Sequence, residues 1–191
     1  ELILQKPFNY LIGQAGSGKT LLAVQIALDM LFKRKVNKIV ITRPTVSTED
    51  NGFLPGSEKE KMEPWLVPIK SNIRKVYNKP EILTKLEENE SLELVSLTHF
   101  RGRTFEDCVC IVDEFQNLTK AQLQMCVGRL GKNATMIFTG DAHQIDLKFK
   151  NDSAIHDISK LDKSEWVNKI ILHDNHRHES LNEILRLLNE Y

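Results

Sequence analysis

The sequence predicts an α/β domain whose mostly parallel β-sheet is covered by helices on both faces. Short apolar runs, typical of buried strands, alternate along the chain with stretches of helical periodicity, as in strand–helix–strand crossover units. The length of 191 residues allows one ordinary domain or two very small ones. Because no repeat, low-complexity segment or linker divides the chain, we expect one domain over residues 1–191.

Six apolar runs are predicted to be the strands of this sheet. They cover residues 8–12, 38–42, 92–97, 108–113, 135–139 and 167–172.

The first two helices are predicted between these runs. Residues 21–32 are apolar on all sides, which indicates a largely buried helix. A second helix is expected from Ser57, because its spacing to Glu60 fits a capping box, and Pro64 and Pro68 are expected to interrupt or kink it.

Two further helices and a long loop complete the predicted elements. Residues 119–130 have an amphipathic pattern, with Thr119 as the expected N-cap and Gly131 just past the end. Residues 179–191 are predicted as the last helix, and the Pro- and Gly-containing segment 43–56 as a loop.

The composition excludes several classes of protein. A hydrophobic fraction of 41% and a charged fraction of 27% are ordinary for a globular protein, which argues against a disordered or fibrous chain. The 26 basic and 26 acidic residues cancel, so the net charge gives no general attraction to nucleic acid, although a local basic groove is compatible with it. No apolar run reaches the ~18 residues that span a bilayer, so we expect no membrane partner.

The termini and cysteines bear on location. The first residues lack the pattern of a signal peptide, and a chain that begins at Glu1 rather than Met is expected to be a trimmed form. The three cysteines are an odd number without metal-ligand spacing. We therefore expect buried core cysteines and a reducing, cytoplasmic location.

A phosphate-binding loop is predicted directly after the first strand. The segment fits G-x-x-x-x-G-K-[ST] in full and opens a helix, which is the structural context that the motif requires. Backbone N–H groups and the helix N-terminus would bind phosphate oxygens of ATP, Lys19 would reach the β- and γ-phosphates, and Thr20 would ligate Mg²⁺. The predicted nucleotide-binding residues are Gly13, Gln14, Ala15, Gly16, Ser17, Gly18, Lys19 and Thr20.

A pair of acids ends the apolar strand 108–113. Asp113 is expected to hold Mg²⁺ directly or through water, and Glu114 to orient and deprotonate the attacking water. GTPase-type sites generally lack the second acid, so this pair favours ATP hydrolysis.

Two later segments resemble motifs of superfamily 1 helicases, in their first RecA-like domain. The turn Gly140-Asp141-Ala142-His143-Gln144 resembles the Gly-Asp-x-x-Gln motif, which implies that Gln144 contacts the γ-phosphate. The segment 172–177 resembles Leu-x-x-Asn-x-Arg, which implies that Arg177 is an arginine finger for the transferred phosphoryl group.

A closer resemblance is to the PhoH family, single-domain relatives of these helicases. Its specific segments are Thr42-Arg43-Pro44 with Gly52-Phe53-Leu54-Pro55-Gly56, then Lys59-Glu60-Lys61 with Pro64-Trp65, Phe100-Arg101-Gly102-Arg103-Thr104, and residues 139–147. The resemblance covers about residues 8–178 and implies a RecA-like P-loop ATPase. Phe115 departs from it, because the family usually has Ala there, and residues 176–177 fit the helicases better.

Three arginines are candidate contacts outside the phosphate loop. Arg43 begins the loop that in the helicases touches single-stranded nucleic acid. Arg101 and Arg103 flank a glycine in a basic turn, where they would reach a neighbouring subunit's phosphates or an RNA backbone, or else pair with nearby Glu106 and Asp107.

The sequence leaves three functions open. The first is an Mg²⁺-dependent ATPase coupled to RNA or single-stranded DNA. The second is an RNA or DNA helicase motor, which would need a homo-oligomer such as a ring, because the chain has room for one RecA-like domain. The third is a binding module switched by ATP, against which Glu114 argues.

Overall fold

The computed structural model describes residues 5–44, 58–77, 79, 81–174 and 180. Six parallel strands form one sheet in the order β3-β2-β4-β5-β1-β6, which confirms the predicted class. The strands are β1 (Phe8–Gly13), β2 (Lys38–Thr42), β3 (Leu92–Leu94), β4 (Cys108–Val112), β5 (Thr135–Gly140) and β6 (Val167–Leu172). All six predicted runs are therefore strands, and β5 lies between the strand of the phosphate loop and the strand of the acid pair.

Six α-helices connect or follow these strands in the described part of the chain. They are α1 (Lys19–Phe32), α2 (Glu58–Tyr77), α3 (Glu81–Glu88), α4 (Leu97–Phe100), α5 (Lys120–Val127) and α6 (Ile158–Leu161). A short 3₁₀ turn, Phe115–Asn117, follows the acid pair. No helix among the described residues is long and apolar enough to cross a membrane.

Each face of the sheet has its own hydrophobic core. Alternate residues of β4 point to opposite faces, so Val109 and Ile111 pack with α1 and α2 while Cys108, Cys110 and Val112 pack on the other side. All three cysteines are buried and free, as predicted. The burial of β4 on both faces explains its continuous apolar run.

An aromatic cluster of Tyr10, Phe115 and Phe138 lies in the second core. Tyr10 stacks on Phe138 with centroids 4.6 Å apart, and Phe115 meets both rings edge-on at 5.4 and 5.8 Å. A Cβ at Gly140 would lie 2.5 Å from the Phe115 ring, so glycine is required there while Phe115 is present. Phe115, the departure from the family pattern, is thus a fully buried packing residue.

Two of the predicted helices, α2 and α5, differ from their predictions. Helix α2 runs without a break through Pro64 and Pro68, because packing of Ile69 and Ile73 in the first core outweighs the backbone hydrogen bonds lost at proline. Helix α5 has the predicted N-cap and capping box at Thr119, but it ends at Val127 with Gly128 as C-cap.

The expected end at Gly131 is therefore wrong. A Cβ at Gly131 would lie 2.9 Å from the Phe105 carbonyl oxygen, which accepts a hydrogen bond from the Gly131 N–H at 2.8 Å. This close backbone approach, rather than helix termination, explains the glycine.

Other boundaries also shifted. The predicted strand 92–97 ends at Leu94, because Ser96 caps the short helix α4. Helices α3, α4 and α6 were not predicted. Residues 45–57, the predicted cap at Ser57 and the predicted helix 179–191, apart from residue 180, lie outside the described residues.

Candidate functional site

The predicted phosphate loop connects β1 to α1 at the carboxyl edge of the sheet. Gly16 and Gly18 have φ angles of 86° and 80°, in the left-handed region that favours glycine. A Cβ at Gly13 would lie 2.6 Å from the Leu172 carbonyl oxygen, so this position also requires glycine. These three glycines let the loop fold tightly over the N-terminus of a 14-residue helix, which is a favourable site for anions.

Two polar side chains are buried inside this loop. The Lys19 ammonium donates hydrogen bonds to the carbonyl oxygens of Gly13 at 2.7 Å and Gln14 at 2.8 Å. The Ser17 hydroxyl is buried without a hydrogen-bond partner among the described residues. A buried cation and an unsatisfied hydroxyl in a glycine-rich loop fit a phosphate group, because its oxygens can accept from both.

Asp113 joins the loop to the acid pair. Its carboxylate is almost fully buried, and Oδ1 accepts hydrogen bonds from the hydroxyls of Thr20 at 2.8 Å and Thr139 at 2.5 Å. The structure therefore brings together the two predicted Mg²⁺ residues, and their oxygen atoms are the ligand type that Mg²⁺ prefers. Thr139 was not predicted; it lies at this point because β5 separates β1 from β4.

Glu114 lies next to Asp113 in a backbone conformation that is uncommon for glutamate. Its φ of 53° places it in the left-handed region, and its side chain is 24% exposed. Burial and the neighbouring Asp113 carboxylate raise the pKa of Glu114, while Gln116, Arg43 and Lys19 oppose this rise. A raised carboxyl pKa brings the group closer to the range useful for proton transfer at neutral pH.

Gln116 is a fully buried residue that holds Glu114 in place. Its side-chain amide donates to Glu114 Oε2 at 2.6 Å and to the Gln144 carbonyl oxygen at 3.0 Å, and its Oε1 accepts from the Asp141 N–H at 3.1 Å. Gln116 therefore links the predicted base to the turn after β5. The sequence pattern Asp-Glu-x-Gln contained this residue, but its role depends on the 3₁₀ turn that aims it.

The turn after β5 contains Gln144, whose predicted role is contact with the γ-phosphate. Its side chain is exposed, while its backbone N–H donates to the Asp141 carbonyl oxygen at 3.2 Å. A second clamp holds the same turn, because the Asn117 side chain donates to Asp146 Oδ2 at 3.1 Å and accepts from the Asp146 N–H at 2.8 Å. Arg177 lies outside the described residues.

The three candidate arginines lie in three different surroundings. Arg43 ion-pairs with Asp113 at 3.6 Å and with Glu114 at 4.0 Å, which places it beside the acid pair. Arg103 forms two hydrogen bonds with Glu93, at 2.6 and 2.9 Å, and lies 4.9 Å from the centre of a phenylalanine ring. Glu106 and Asp107 were the predicted alternative partners of Arg103. The observed partner is instead Glu93 on β3, which lies ten residues earlier in the sequence.

Arg101 is exposed and lines a cleft of about 540 Å³ at the carboxyl edge of the sheet. The same cleft is lined by Lys148, by apolar side chains including Leu97, and by Pro44 and Asn117. Pro44 follows Arg43 and Asn117 follows Gln116 in the sequence, so two residues of the cleft wall are next to residues that contact the acid pair.

Comparison with known proteins identifies the family. A family model described as "PhoH-like protein" matches residues 1–189. The chain belongs to the PhoH family. This confirms the resemblance inferred from the motifs.

Curated PhoH relatives are longer than this chain. The PhoH-like protein of Mycobacterium leprae is 36% identical over 184 residues, which are 94% of this chain and 52% of the relative. Protein PhoH of Escherichia coli is 35% identical over 175 residues, covering 86% and 48%, respectively. The PhoH chain described here thus spans about half the length of these relatives.

A solved structure supports the fold. The large terminase from a thermophilic bacteriophage matches 99% of this PhoH chain and 47% of its own chain, with a TM-score of 0.58 and 12% identity. The PhoH domain therefore has the RecA-like P-loop NTPase fold, as predicted.

Proposed function

We propose that this PhoH chain binds Mg²⁺-ATP and hydrolyses it, with coupling to RNA or single-stranded DNA. The observation that carries the proposal is the convergence of the loop and the acid pair: Thr20 donates to Asp113 at 2.8 Å, with Glu114 beside it. The family and the fold support nucleotide hydrolysis as the general class of activity.

Nucleotide binding is assigned to the loop 13–20. Lys19 would exchange its bonds to the loop carbonyl oxygens for bonds to β- and γ-phosphate oxygens, and the Ser17 hydroxyl would gain an acceptor. Thr20 and Asp113 would hold Mg²⁺, which when bound supplies positive charge to the phosphate oxygens. The Ser17 hydroxyl would then be satisfied, and Lys19 would exchange neutral acceptors for charged ones, which favours the bound state.

The chemistry is assigned to Glu114 and its neighbours. Glu114 takes the proton of the attacking water, and Gln116 holds its carboxylate in one orientation through the 2.6 Å hydrogen bond. Gln144 contacts the γ-phosphate, and its carbonyl oxygen accepts a hydrogen bond from Gln116, so that its position depends on the residue that holds Glu114. Arg177, or an arginine of a neighbouring subunit, neutralises the charge that develops on the transferred group.

Nucleic-acid coupling is assigned to the cleft beside the acid pair. Arg101 and Lys148 provide positive charge for phosphates, and Leu97 provides apolar surface for bases. Because the Pro44 and Asn117 walls adjoin Arg43 and Gln116, an occupant of the cleft would act on the residues around Glu114. The free, buried thiols support the proposed cytoplasmic location, and a homo-oligomer remains part of the proposal.

An ATPase assay with and without a single-stranded RNA oligonucleotide tests this function. RNA-stimulated phosphate release is the expected result, and basal release alone would indicate an uncoupled ATPase. Binding of ATP without turnover would support the switched module instead. The solution mass with and without ATP tests the oligomer, and a strand-displacement assay tests the helicase motor.

A further inference from the structure

Arg43 lies where the ends of two neighbouring strands bring it against both acids. Strand β2 pairs with β4 so that Thr42 lies opposite Val112, and the Asp113 N–H donates to the Thr42 carbonyl oxygen at 2.9 Å. The guanidinium is 3.6 Å from Asp113 Oδ2 and 4.0 Å from Glu114 Oε1. The register of the sheet therefore fixes this contact.

The surroundings of Asp113 give this ion pair a particular importance. The two hydroxyls on Oδ1 are neutral donors, so they satisfy that oxygen without balancing its charge. The Lys19 ammonium donates to two loop carbonyl oxygens, and its charge helps to lower the pKa of Glu114. Arg43 faces the other oxygen, Oδ2, and forms ion pairs with both carboxylates of the acid pair.

We propose that Arg43 is a resident counter-ion of the acid pair, which balances Asp113 and Glu114 until Mg²⁺ takes over that role. The inference rests on the proposed Mg²⁺-ATP site and adds a competition between a side chain and the metal. A guanidinium and a dication next to the same carboxylates repel each other, so binding of one weakens binding of the other.

This competition predicts two effects of opposite sign when the charge of Arg43 is removed. The protein without nucleotide should bind a divalent cation more tightly, because the Arg43 guanidinium no longer competes for the carboxylates. Nucleotide in the absence of metal should bind more weakly, because its phosphates then meet the two carboxylates without the charge of Arg43. For one unit charge in this partly exposed site, we expect each affinity to change by about tenfold.

The test compares Arg43→Gln with the wild type in two titrations. Electron paramagnetic resonance measures Mn²⁺ binding to the protein without nucleotide, and fluorescence measures binding of a labelled ATP in EDTA. Arg43→Lys, which keeps the charge, should stay within about threefold of the wild type in both. Arg103→Gln removes an arginine paired with Glu93 instead, and should change neither titration.

The outcomes separate this inference from the proposed function. Tighter Mn²⁺ binding together with weaker metal-free nucleotide binding supports the counter-ion. If both affinities fall together, or neither moves, in a variant of a wild type that binds both ligands, the counter-ion is rejected and the ATP site stands. If the wild type binds neither ligand, both proposals fall. Should Arg43→Gln not fold, Arg43→Met provides the same two comparisons with the packing of the stem retained.

Discussion

Gln116 is the residue whose replacement most directly tests how the site is built. Gln116→Met keeps the length of the side chain and removes its three hydrogen bonds, to Glu114, to the Gln144 carbonyl oxygen and from the Asp141 N–H. Gln116 and Asp141 are both buried, so the Asp141 N–H would be left without an acceptor. Loss of a charged hydrogen bond, with this buried N–H left unsatisfied, is expected to cost about 3–5 kcal/mol of unfolding free energy.

The same substitution should affect catalysis without affecting nucleotide binding. Glu114 loses the group that orients it, and a misplaced catalytic group costs up to about 10²-fold in rate, so we expect kcat to fall by about 10–100-fold. Because the Gln116 hydrogen bond lowers the pKa of Glu114, its loss raises that pKa further. The acid limb of the pH–rate profile should therefore move to higher pH.

Denaturant unfolding, ATP titration and a pH series of steady-state rates measure these three effects. ATP affinity should stay within about threefold of the wild type, since the hydrogen bonds of the Gln116 side chain go to Glu114, Gln144 and Asp141 and not to the loop 13–20. Gln124→Met is the matched control, because Gln124 is exposed on helix α5. An unchanged pH profile with unchanged kcat would refute the assignment of Gln116 as the positioning residue of Glu114.

Three further predictions concern the other site residues. Lys19→Ala should abolish measurable ATP binding in calorimetry while the circular dichroism spectrum is retained, and wild-type affinity would remove the phosphate-loop assignment. Glu114→Gln should bind ATP but hydrolyse it about 10²–10⁴-fold more slowly. Burial and Asp113 raise the pKa of Glu114, so its ionisation is unfavourable in the folded state. The free energy of unfolding of the wild type should therefore decline as the pH rises through that pKa. Glu114→Gln should also be more stable than the wild type at pH 7, with the difference shrinking toward pH 4. Arg177→Ala should reduce turnover at every protein concentration. The other two arginines are tested by mixing an Arg101→Ala/Arg103→Ala chain with a Glu114→Gln chain. The mixture recovers ATPase activity only if one subunit supplies arginines to the other.

The parts of the site that depend on local sequence could be predicted. The glycines of the phosphate loop indicate a tight turn, and an acid after an apolar strand indicates the carboxyl edge of a sheet. Thr20 and Asp113 were therefore assigned to one metal site, and the structure places them in hydrogen-bond contact. Both inferences use patterns confined to fewer than ten neighbouring residues.

The parts that depend on strand order could not be predicted in this way. Thr139 reaches Asp113 because β5 is inserted between β1 and β4, and Arg43 reaches the same carboxylate because β2 flanks β4. Nothing in the local sequence around either residue indicates which strand will be its neighbour. Arg103 shows the same limit, because its partner Glu93 lies on β3.

The aromatic cluster determines which parts of the site can move independently. Tyr10 belongs to the phosphate-loop strand, Phe138 to β5, and Phe115 to the turn after the acid pair, so the contacts between their rings connect these three segments. Sliding these strands past one another would break the ring contacts, which disfavours that route for a change in nucleotide state. The turn after β5 is connected to the acid pair in a different way, through hydrogen bonds from the Gln116 and Asn117 side chains. Under the proposed function, a shift of this turn at the γ-phosphate would be transmitted through Gln116 and Asn117 to the cleft, which Asn117 lines.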